Sequence, residues 1–231
     1  MEEVFYMTKN LIVRGAPQEY EIKENAWDSL PEHLYKRHID NVLILHGKTS
    51  WKAVKDDFPD LSITNFFEYY GGECTDPLAD SFVSLCKKKD FNGIIAVGGG
   101  KVADLGKLIA YKTNLPIIIL PTLAATCAAY TPLSVVYNEE GVMLRYDMFP
   151  KANDLVLIDP KIILHSPREM MIAGIGDTLA KWYESHAIIS QLTIKPIEVQ
   201  VAEFAALRCR EILLEKSAEA MEAMDQQKIN Q

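Results

Sequence analysis

Residues 93–101 read Gly93-Ile94-Ile95-Ala96-Val97-Gly98-Gly99-Gly100-Lys101, an apolar run that passes directly into three glycines and a lysine. The apolar run predicts a buried strand, and the spacing of apolar residues over Lys101–Lys112 predicts a helix. Glycines allow the backbone to approach a ligand closely, and a helix N-terminus presents free N–H groups and a positive dipole end. A phosphate group is therefore the expected ligand at this turn.

The turn matches neither of two common phosphate-binding motifs. It is not a Walker A loop, because Gly106-Lys107 is followed by Leu108, and it lacks the third glycine of GxGxxG, whose place Ala103 takes. A tight strand-to-helix turn without a ligand is the alternative. Ordering three consecutive glycines costs backbone entropy, and a turn without a ligand does not need all three, so the pattern favours phosphate binding.

The segments around this turn predict an α/β fold with a parallel sheet. Short runs rich in Val, Ile and Leu show no solvated alternate face, as is typical of strands buried on both sides. Stretches with helical spacing separate them, which indicates right-handed βαβ units. The predicted strands are Val42–Leu45, Ile94–Val97, Pro116–Leu120 and Leu155–Ile158, and the helices between them are Thr49–Phe58, Pro77–Lys88 and Lys101–Lys112.

Other segments predict a hairpin, edge strands and a helical second domain. Leu133–Tyr137 and Val142–Tyr146 flank a turn that contains Gly141, and Leu11–Val13 and Glu19–Ile22 are further candidate strands. Ser166-Pro167-Arg168-Glu169 has the pattern of a capping box. Helices are predicted over Met170–Ala187 and from Pro196 to Glu215. We therefore expect a parallel-sheet domain over residues 1–164 and the start of an all-helical domain over residues 165–231.

Composition narrows the function classes. With 231 residues, 48% hydrophobic and 24% charged, the chain is of ordinary globular composition. A formal charge of −8 would repel a phosphate backbone, so nucleic acid is not an expected partner. No apolar run approaches the length of a membrane span, and the first ten residues do not resemble a signal peptide. Four scattered cysteines without a CxxC pair suit reduced thiols, so we expect a cytoplasmic protein with a small-molecule ligand.

Three lysines and an acid near the predicted turn are candidate ligand contacts. Lys48 follows the strand that precedes the glycine unit, at the place where NAD-selective folds usually carry an acid. A lysine there favours NADP through a contact with the 2′-phosphate, the alternative being a solvated loop lysine. Asp104 and Lys107 follow Lys101 on the predicted helix, and they are either part of the site or a first-turn acid and a solvated base.

Two later segments can take part in a site. Residues 121–132, PTLAATCAAYTP, follow a buried strand and are small, rich in hydroxyls and uncharged, as expected either for a nucleotide cleft or for a packed loop. Gly174 and Gly176 come just before Asp177 in a stretch that is otherwise apolar and is predicted to be helical. Glycine inside a helix costs about 1 kcal/mol relative to alanine, which indicates a close approach by another group. Asp177 either binds a cation or pairs with Lys181 one turn later.

Together these segments resemble the iron-containing alcohol dehydrogenase superfamily, in its glycerol-dehydrogenase-like branch and closest to the hydroxycarboxylate dehydrogenase subgroup. The resemblance covers essentially the whole chain, with its motifs in the same order. They are the glycine turn with Asp104 and Lys107, Pro121-Thr122, the stretch Leu133–Tyr137, and Gly174-Ile175-Gly176-Asp177.

The resemblance implies an N-terminal dinucleotide-binding α/β domain, a C-terminal all-helical domain and an active site in the cleft between them. It assigns the catalytic and metal-ligating role to Asp177, which overturns the ion-pair reading with Lys181. It places Cys127 beside the substrate, facing Asp177 across the cleft. It also places residues at the pyrophosphate and along the channel of an NADP or NAD cofactor: Gly98, Gly99, Gly100, Lys101, Thr122, Thr131, Leu133 and Tyr137.

The chain departs from the family pattern at two places. Glycerol dehydrogenases carry an Asp where this chain has Cys127, and its loss removes repulsion towards an anionic 2-oxo acid. Two histidine ligands of the family's divalent metal, Zn or Fe, come from helices beyond residue 231, so we expect an incomplete enzyme that does not turn over by itself. None of the five histidines of this chain falls on the family's metal-ligand positions: they are His33, His38, His46, His165 and His186.

The leading hypothesis is metal-assisted hydride transfer between NAD(P)H and a 2-oxo acid, with the metal polarising the carbonyl group. A glycerol or polyol dehydrogenase is the first alternative. A carbon–oxygen lyase of related fold and a nucleotide-binding module without turnover are alternatives of another class. The resemblance also implies a homo-oligomer.

Overall fold

The computed structural model describes Gly15 and residues 17–229. Its strands are β1 (Tyr20–Ile22), β2 (Asn41–His46), β3 (Thr64–Tyr69), β4 (Gly93–Gly98), β5 (Ile117–Pro121), β6 (Leu133–Tyr137), β7 (Met143–Met148) and β8 (Leu155–Ile158). Six of them form a parallel sheet in the order β1-β8-β5-β4-β2-β3, and β6 and β7 form an antiparallel hairpin. The predicted parallel α/β fold is confirmed.

Seven α-helices accompany the strands in the described residues. They are α1 (Leu30–Lys36), which follows a 3₁₀ turn at Ala26–Ser29, α2 (Lys48–Val54), α3 (Asp76–Lys89), α4 (Gly100–Thr113), α5 (Pro160–Leu164), α6 (Arg168–Ile189) and α7 (Ile197–Asp225). None of these described helices is both long and apolar enough to cross a membrane.

Helices cover the sheet on both faces. Alternate residues along a strand point to opposite faces, so each central strand feeds two hydrophobic clusters. Ala96 of β4 belongs to the cluster formed with α3 and α4, whereas Ile95 belongs to the cluster formed with α1, α2 and α5. Every residue of β4 and β5 is buried. Burial on both faces explains the continuous apolar runs in the sequence.

The chain reverses its direction across the sheet between β2 and β4. From β2 it continues through α2 to β3 at one edge, and from β4 through α4 to β5 on the other side. Val54 of α2 and Leu105 of α4 belong to clusters on opposite faces. The carboxyl ends of β2 and β4 thus flank the crevice where doubly wound sheets bind ligands.

The described helical part packs against the loop after β5 through one glycine. A Cβ atom at Gly174 of α6 would lie 1.8 Å from the backbone oxygen of Ala124, so only glycine permits this approach. A Cβ at Gly176 would meet nothing within 4 Å, so the close approach predicted for both glycines is confirmed for Gly174 alone. The expected capping box is wrong, because α6 begins at Arg168 after Pro167 and Ser166 Oγ has no hydrogen-bond partner among the described residues.

Several predicted boundaries shift, and some elements were missed. The predicted helix Thr49–Phe58 ends at Val54, the second hairpin strand runs to Met148, and the last helix continues to Asp225. The strand predicted at Glu19–Ile22 is present as Tyr20–Ile22, whereas the one at Leu11–Val13 lies outside the described residues. β3, α1 and α5 were not predicted from the sequence. The domain boundary at Leu164 coincides with the end of α5 and stays a prediction.

Candidate functional site

The glycine turn lies at the carboxyl end of β4, at the crevice between β2 and β4. Gly99 is the N-cap of α4, and its carbonyl accepts hydrogen bonds from Val102 N and Ala103 N, both at 3.1 Å. Gly100 and Lys101 are the first two residues of the helix, so their backbone N–H groups have no acceptor within it. The turn therefore presents donors and a positive dipole end to the crevice.

The three glycines meet different surroundings. A Cβ at Gly98 would lie 2.7 Å from a methyl of Val102, and one at Gly100 would lie 3.1 Å from Thr126 Oγ1. Gly98 therefore has no room for a Cβ, whereas a Cβ at Gly100 would fit only if the side chain of Thr126 moved slightly. A Cβ at Gly99 would make only an ordinary contact, 3.4 Å from Leu123. Gly99 is thus the position at which the protein's own packing leaves room for a side chain.

The adjacent strand β5 brings Thr122 to the same edge. Thr122 N donates to the carbonyl of Gly98 at 3.1 Å, which fastens the start of the next loop to the glycine turn. Thr122 is buried, and its Oγ1 has no hydrogen-bond partner within the described part of the chain. An unpaired buried hydroxyl beside a row of free amides fits a polar ligand at this edge.

Lys107 organises the loop between β5 and β6. Its side chain is only 1% exposed, and its Nζ donates to the carbonyls of Ala128 at 2.7 Å, Thr131 at 3.2 Å and also Leu133. The interpretation of Lys107 as a solvated base is therefore wrong. The lysine fixes the course of the loop that carries Cys127, Thr131 and the start of β6.

Asp104 balances the charge of Lys107 inside the protein. Its Oδ1 lies 3.0 Å from Lys107 Nζ, its Oδ2 accepts from Val135 N at 3.3 Å, and its backbone carbonyl accepts from Ser134 Oγ at 2.8 Å. Burial raises the pKa of Asp104 and lowers the pKa of Lys107, while their mutual attraction opposes both shifts. Asp104 is buried and tied to the hairpin, so it is more than an acid that complements the helix dipole.

Lys101 lies at the rim of the turn and pairs with Glu73, a residue that no sequence pattern singles out. Its Nζ contacts Oε1 of Glu73, in the loop between β3 and α3, and lies 5.8 Å from the ring centroid of Tyr137. Tyr137 N donates to the carbonyl of Cys74 at 2.8 Å, which holds the hairpin against this loop. The structure thus brings together three residues from different elements: Lys101 of α4, Tyr137 of β6 and Glu73 of the loop between β3 and α3.

Lys48 begins α2, directly after the end of β2. It is exposed, and a Cβ at the preceding Gly47 would lie 3.7 Å from Val102 in the first turn of α4. The end of β2 therefore adjoins the glycine turn, with no carboxylate in the segment His46-Gly47-Lys48. The position of Lys48 is compatible with either a 2′-phosphate contact or a solvated lysine.

Asp177 lies on α6 and pairs with Lys181. Its Oδ2 contacts Lys181 Nζ, and its side chain is 46% exposed. Asp177 lies three residues after Gly174 and hence on the same side of α6 as the contact with the Ala124 loop. Cys127 is exposed on that loop. The facing arrangement of Asp177 and Cys127 stays a prediction.

The described residues do not supply a metal centre. Across Gly15 and residues 17–229, no group of three His, Cys, Asp or Glu side chains is placed to hold a metal ion together. A catalytic metal usually needs about three protein ligands, and Asp177 offers one carboxylate that is already paired. The family's metal therefore does not fit the residues present, and the role of Asp177 as its ligand stays a prediction.

Lys107 and Glu73 are the residues whose roles sequence reasoning missed. Lys107 lies at i+3 from Asp104 within a helix whose other residues from Val102 to Ala110 are all buried. That uninterrupted burial, readable from the apolar run VADLGKLIA, indicates that an interior lysine needs a partner. No local signal identifies Glu73, because its partner Lys101 is 28 residues away in the sequence.

A glycine turn that opens a 14-residue helix at the reversal point of a parallel sheet defines a doubly wound α/β fold of the dinucleotide-binding type. The family model described as iron-containing alcohol dehydrogenase matches residues 17–160. The chain belongs to the iron-containing alcohol dehydrogenase family.

Several relatives support this assignment. Hydroxycarboxylate dehydrogenase A of Escherichia coli K12 is 44% identical over 142 residues, which cover 62% of this chain and 39% of the relative. A glycerol dehydrogenase of Escherichia coli O6:H1 is 33% identical over 177 residues, covering 75% and 48%. The crystal structure of a probable glycerol dehydrogenase from Sinorhizobium meliloti 1021 superimposes with a TM-score of 0.84 at 26% identity, covering 94% of this chain and 61% of the other. The chain thus spans about half the length of these curated relatives.

Proposed function

We propose that this protein binds NAD(P) at the carboxyl edge of its sheet and takes part in hydride transfer between that cofactor and a 2-oxo or 2-hydroxy acid. The observation that carries the proposal is the glycine turn, whose free amides lie at the reversal point of the sheet beside the unpaired hydroxyl of Thr122. Phosphates bind at helix N-termini of this kind because N–H donors and the helix dipole both favour negative charge.

The residues of this chain would hold the cofactor in two places. Gly98, Gly99, Gly100 and Lys101 would contact the pyrophosphate, and Lys48 would contact a 2′-phosphate if the cofactor is NADP. The other channel residues lie on the loop that Lys107 fixes and on the hairpin: Thr122, Thr131, Leu133 and Tyr137. When bound, the nicotinamide would supply or accept the hydride, and the protein would supply placement and exclusion of water.

The choice of a 2-oxo acid rests on Cys127. An exposed thiol at this loop position does not repel an anionic substrate as a carboxylate would, and it offers a polyol no strong acceptor. The similarity to hydroxycarboxylate dehydrogenase A supports the same choice. Glycerol or another polyol is the second candidate, supported by the similarity to glycerol dehydrogenases.

A binding experiment on the glycine turn tests the cofactor proposal. Gly99→Val is expected to abolish calorimetric binding of NADH and NADPH, because Gly99 packs least tightly against the protein itself and the added carbons would occupy the ligand's space. Lys48→Ala is expected to weaken NADPH binding at least about tenfold more than NADH binding, since a charged phosphate contact is worth about 1.5–3 kcal/mol. Unchanged affinity in Gly99→Val, with an unchanged melting temperature, would refute the assignment of the turn.

A turnover assay tests the substrate proposal. Cys127→Asp is expected to lower reduction of 2-oxobutanoate by charge repulsion and to raise oxidation of glycerol. An unchanged ratio of the two activities would mean that the loop does not touch the substrate. We also propose that the protein acts in the cytoplasm and that it forms a homo-oligomer. Light scattering, which measures the molar mass in solution, tests the oligomeric state.

A further inference from the structure

We propose that Glu73 is a positioning residue that holds the ammonium of Lys101 away from the phosphate site and thereby weakens binding of the dinucleotide. This inference rests on the proposed function, because it takes a pyrophosphate as the ligand of the glycine turn. It concerns a contact between the loop after β3 and the first turn of α4.

The ammonium of Lys101 is engaged from two sides. Its Nζ forms an ion pair with Glu73 Oε1, and the ring of Tyr137 lies 5.8 Å from it, within the range of a cation–π interaction. The hydrogen bond between Tyr137 N and the Cys74 carbonyl keeps the ring close to the loop that carries Glu73. The lysine that follows the three glycines is therefore oriented by its neighbours before any ligand binds.

Glu73 depends on this lysine for its own charge balance. Its side chain is 28% exposed, its Oε1 contacts Lys101, and its Oε2 is enclosed without a hydrogen-bond partner within the described residues. A carboxylate oxygen that is shielded from water and unpaired is costly, so the attraction to Lys101 must compensate. Loss of Lys101 to a ligand would leave Glu73 uncompensated.

A pyrophosphate at the glycine turn would compete with Glu73 for Lys101. The ammonium has three donors and can contact both anions, but it then brings a carboxylate and a phosphate close together, and like charges repel. Either the ion pair breaks or the repulsion remains, and both alternatives reduce affinity. Because the pyrophosphate is common to both cofactors, Glu73 should weaken NADH and NADPH binding equally, whereas Lys48 should discriminate between them.

A double-mutant cycle measured by calorimetry tests the inference. E73Q keeps the size of the side chain and removes its charge, so it is expected to tighten NADH and NADPH binding about two- to fivefold, the range of a partly exposed ion pair. K101M is expected to weaken binding more in the E73Q background than in the wild type. Added salt should weaken binding more steeply in E73Q, since Lys101 then contacts the ligand alone.

Asp80→Asn is the matched control. Asp80 of α3 pairs with Lys112 of α4 at 2.7 Å, so this ion pair also connects α4 to a neighbouring segment. Unlike the pair of Glu73 and Lys101, it lies near the C-terminal end of α4, away from the glycine turn. This variant removes the same charge and should leave both affinities unchanged. Adenosine, which has no phosphate, should bind all variants alike.

The outcomes separate this inference from the proposed function. If wild-type protein binds dinucleotide and E73Q binds it equally or more weakly, the role of Glu73 is refuted while the cofactor site stands. If E73Q tightens binding by the same factor with and without Lys101, Glu73 repels the ligand directly and the positioning role is refuted. If neither wild-type protein nor E73Q binds either dinucleotide, the proposed function and this inference both fall.

Discussion

At the scale of single residues, two glycines of α6 illustrate how surroundings decide the effect of one methyl group. Gly174 and Gly176 lie in the same helix, two residues apart, and have the same low helix propensity. A Cβ at Gly174 would collide with the carbonyl oxygen of Ala124, and a Cβ at Gly176 would extend into open space. Only the first glycine therefore has a packing role in the described residues.

Gly174→Ala and Gly176→Ala should consequently have opposite effects on stability. We expect Gly174→Ala to destabilise the packing of α6 by at least about 1–3 kcal/mol, because the loop backbone must move. Gly176→Ala should stabilise the helix by up to about 1 kcal/mol through its propensity. Urea unfolding of the two variants, followed by circular dichroism, measures both. Equal effects would mean that the contact with Ala124 does not persist in solution.

At the scale of elements, the buried pair of Asp104 and Lys107 joins α4 to the loop and hairpin that follow β5. Lys107 donates charge-assisted hydrogen bonds to the carbonyls of Ala128 and Thr131 in the loop and of Leu133 at the start of β6. Since a loop without its own hydrogen-bond ladder is held by such contacts, the pair is expected to determine the position of the residues proposed to touch cofactor and substrate.

Lys107→Met should destabilise the protein by about 3–5 kcal/mol, because it leaves the buried carboxylate of Asp104 uncompensated. Adding Asp104→Asn should restore part of this loss by removing that charge. Lys112→Met is the control on the same helix, since Lys112 forms a more exposed pair with Asp80. Chemical unfolding compares these three variants with the wild type. A loss in Lys107→Met no larger than in Lys112→Met would contradict the role given to the buried pair.

The hairpin is also attached to α3 by a surface ion pair whose contribution depends on pH. Arg145 donates to both carboxylate oxygens of Asp76, at 2.7 and 2.9 Å. The hydrogen bonds from Arg145 hold the pKa of Asp76 below its usual range. Both side chains are more than one third exposed, so solvent screening limits the pair to about 0–1 kcal/mol.

Asp76→Asn should therefore lower the free energy of unfolding by less than about 1 kcal/mol at pH 7. A carboxyl group with a depressed pKa in the folded state stabilises the protein above its unfolded pKa of about 3.9, and this contribution disappears as the pH falls through the folded pKa. The difference between wild type and variant should begin to shrink below about pH 4 and should be lost only as the pH falls through the depressed folded pKa of Asp76. Asp56→Asn, at an exposed carboxylate, is the control, and a difference for Asp76→Asn that does not shrink as the pH falls below about 4 would argue against the ion pair.

At the scale of the whole molecule, the described residues divide into a sheet with two covered faces and a pair of long helices. Helices α6 and α7 contact each other through Arg168 and Asp225, at 2.9 Å, and through Tyr183 and Arg210. Large apolar side chains on these helices are exposed, among them Ile188, Val201, Phe204 and Leu214. Little apolar surface is therefore buried to stabilise this pair relative to the sheet.

Hydrogen exchange should reveal this difference in the 231-residue chain. Amides of β4 and β5 should exchange only by global unfolding, whereas those of α6 and α7 should exchange faster through local opening. Mass spectrometry of peptic fragments measures both classes. Equal protection of helices and central strands would show that another contact stabilises the helical pair.

The sequence by itself determined the parallel sheet, the glycine turn and the helical character of residues 168–225. Strands buried on both faces are apolar at every position, and a turn that leaves no room for a Cβ at Gly98 keeps glycine there, so both leave local patterns. It failed at β3, whose sequence Thr64-Asn65-Phe66-Phe67-Glu68-Tyr69 mixes polar and apolar residues because this edge strand is largely exposed. For Asp104 and Lys107 on α4, residue spacing could not decide between a role in the site and the roles of a first-turn acid and a solvated base.

Only the tertiary structure decided which charges meet. Lys107 is buried because a loop 21 to 26 residues later folds over it, and Lys101 finds Glu73 from a different loop. Helical periodicity and propensity are local, so they report that a lysine lies on a face but not what covers that face. The contact of Gly174 with Ala124 is likewise invisible until α6 is placed on the loop. Long-range packing determines the environment of each charge, and that environment sets its role at the proposed cofactor site.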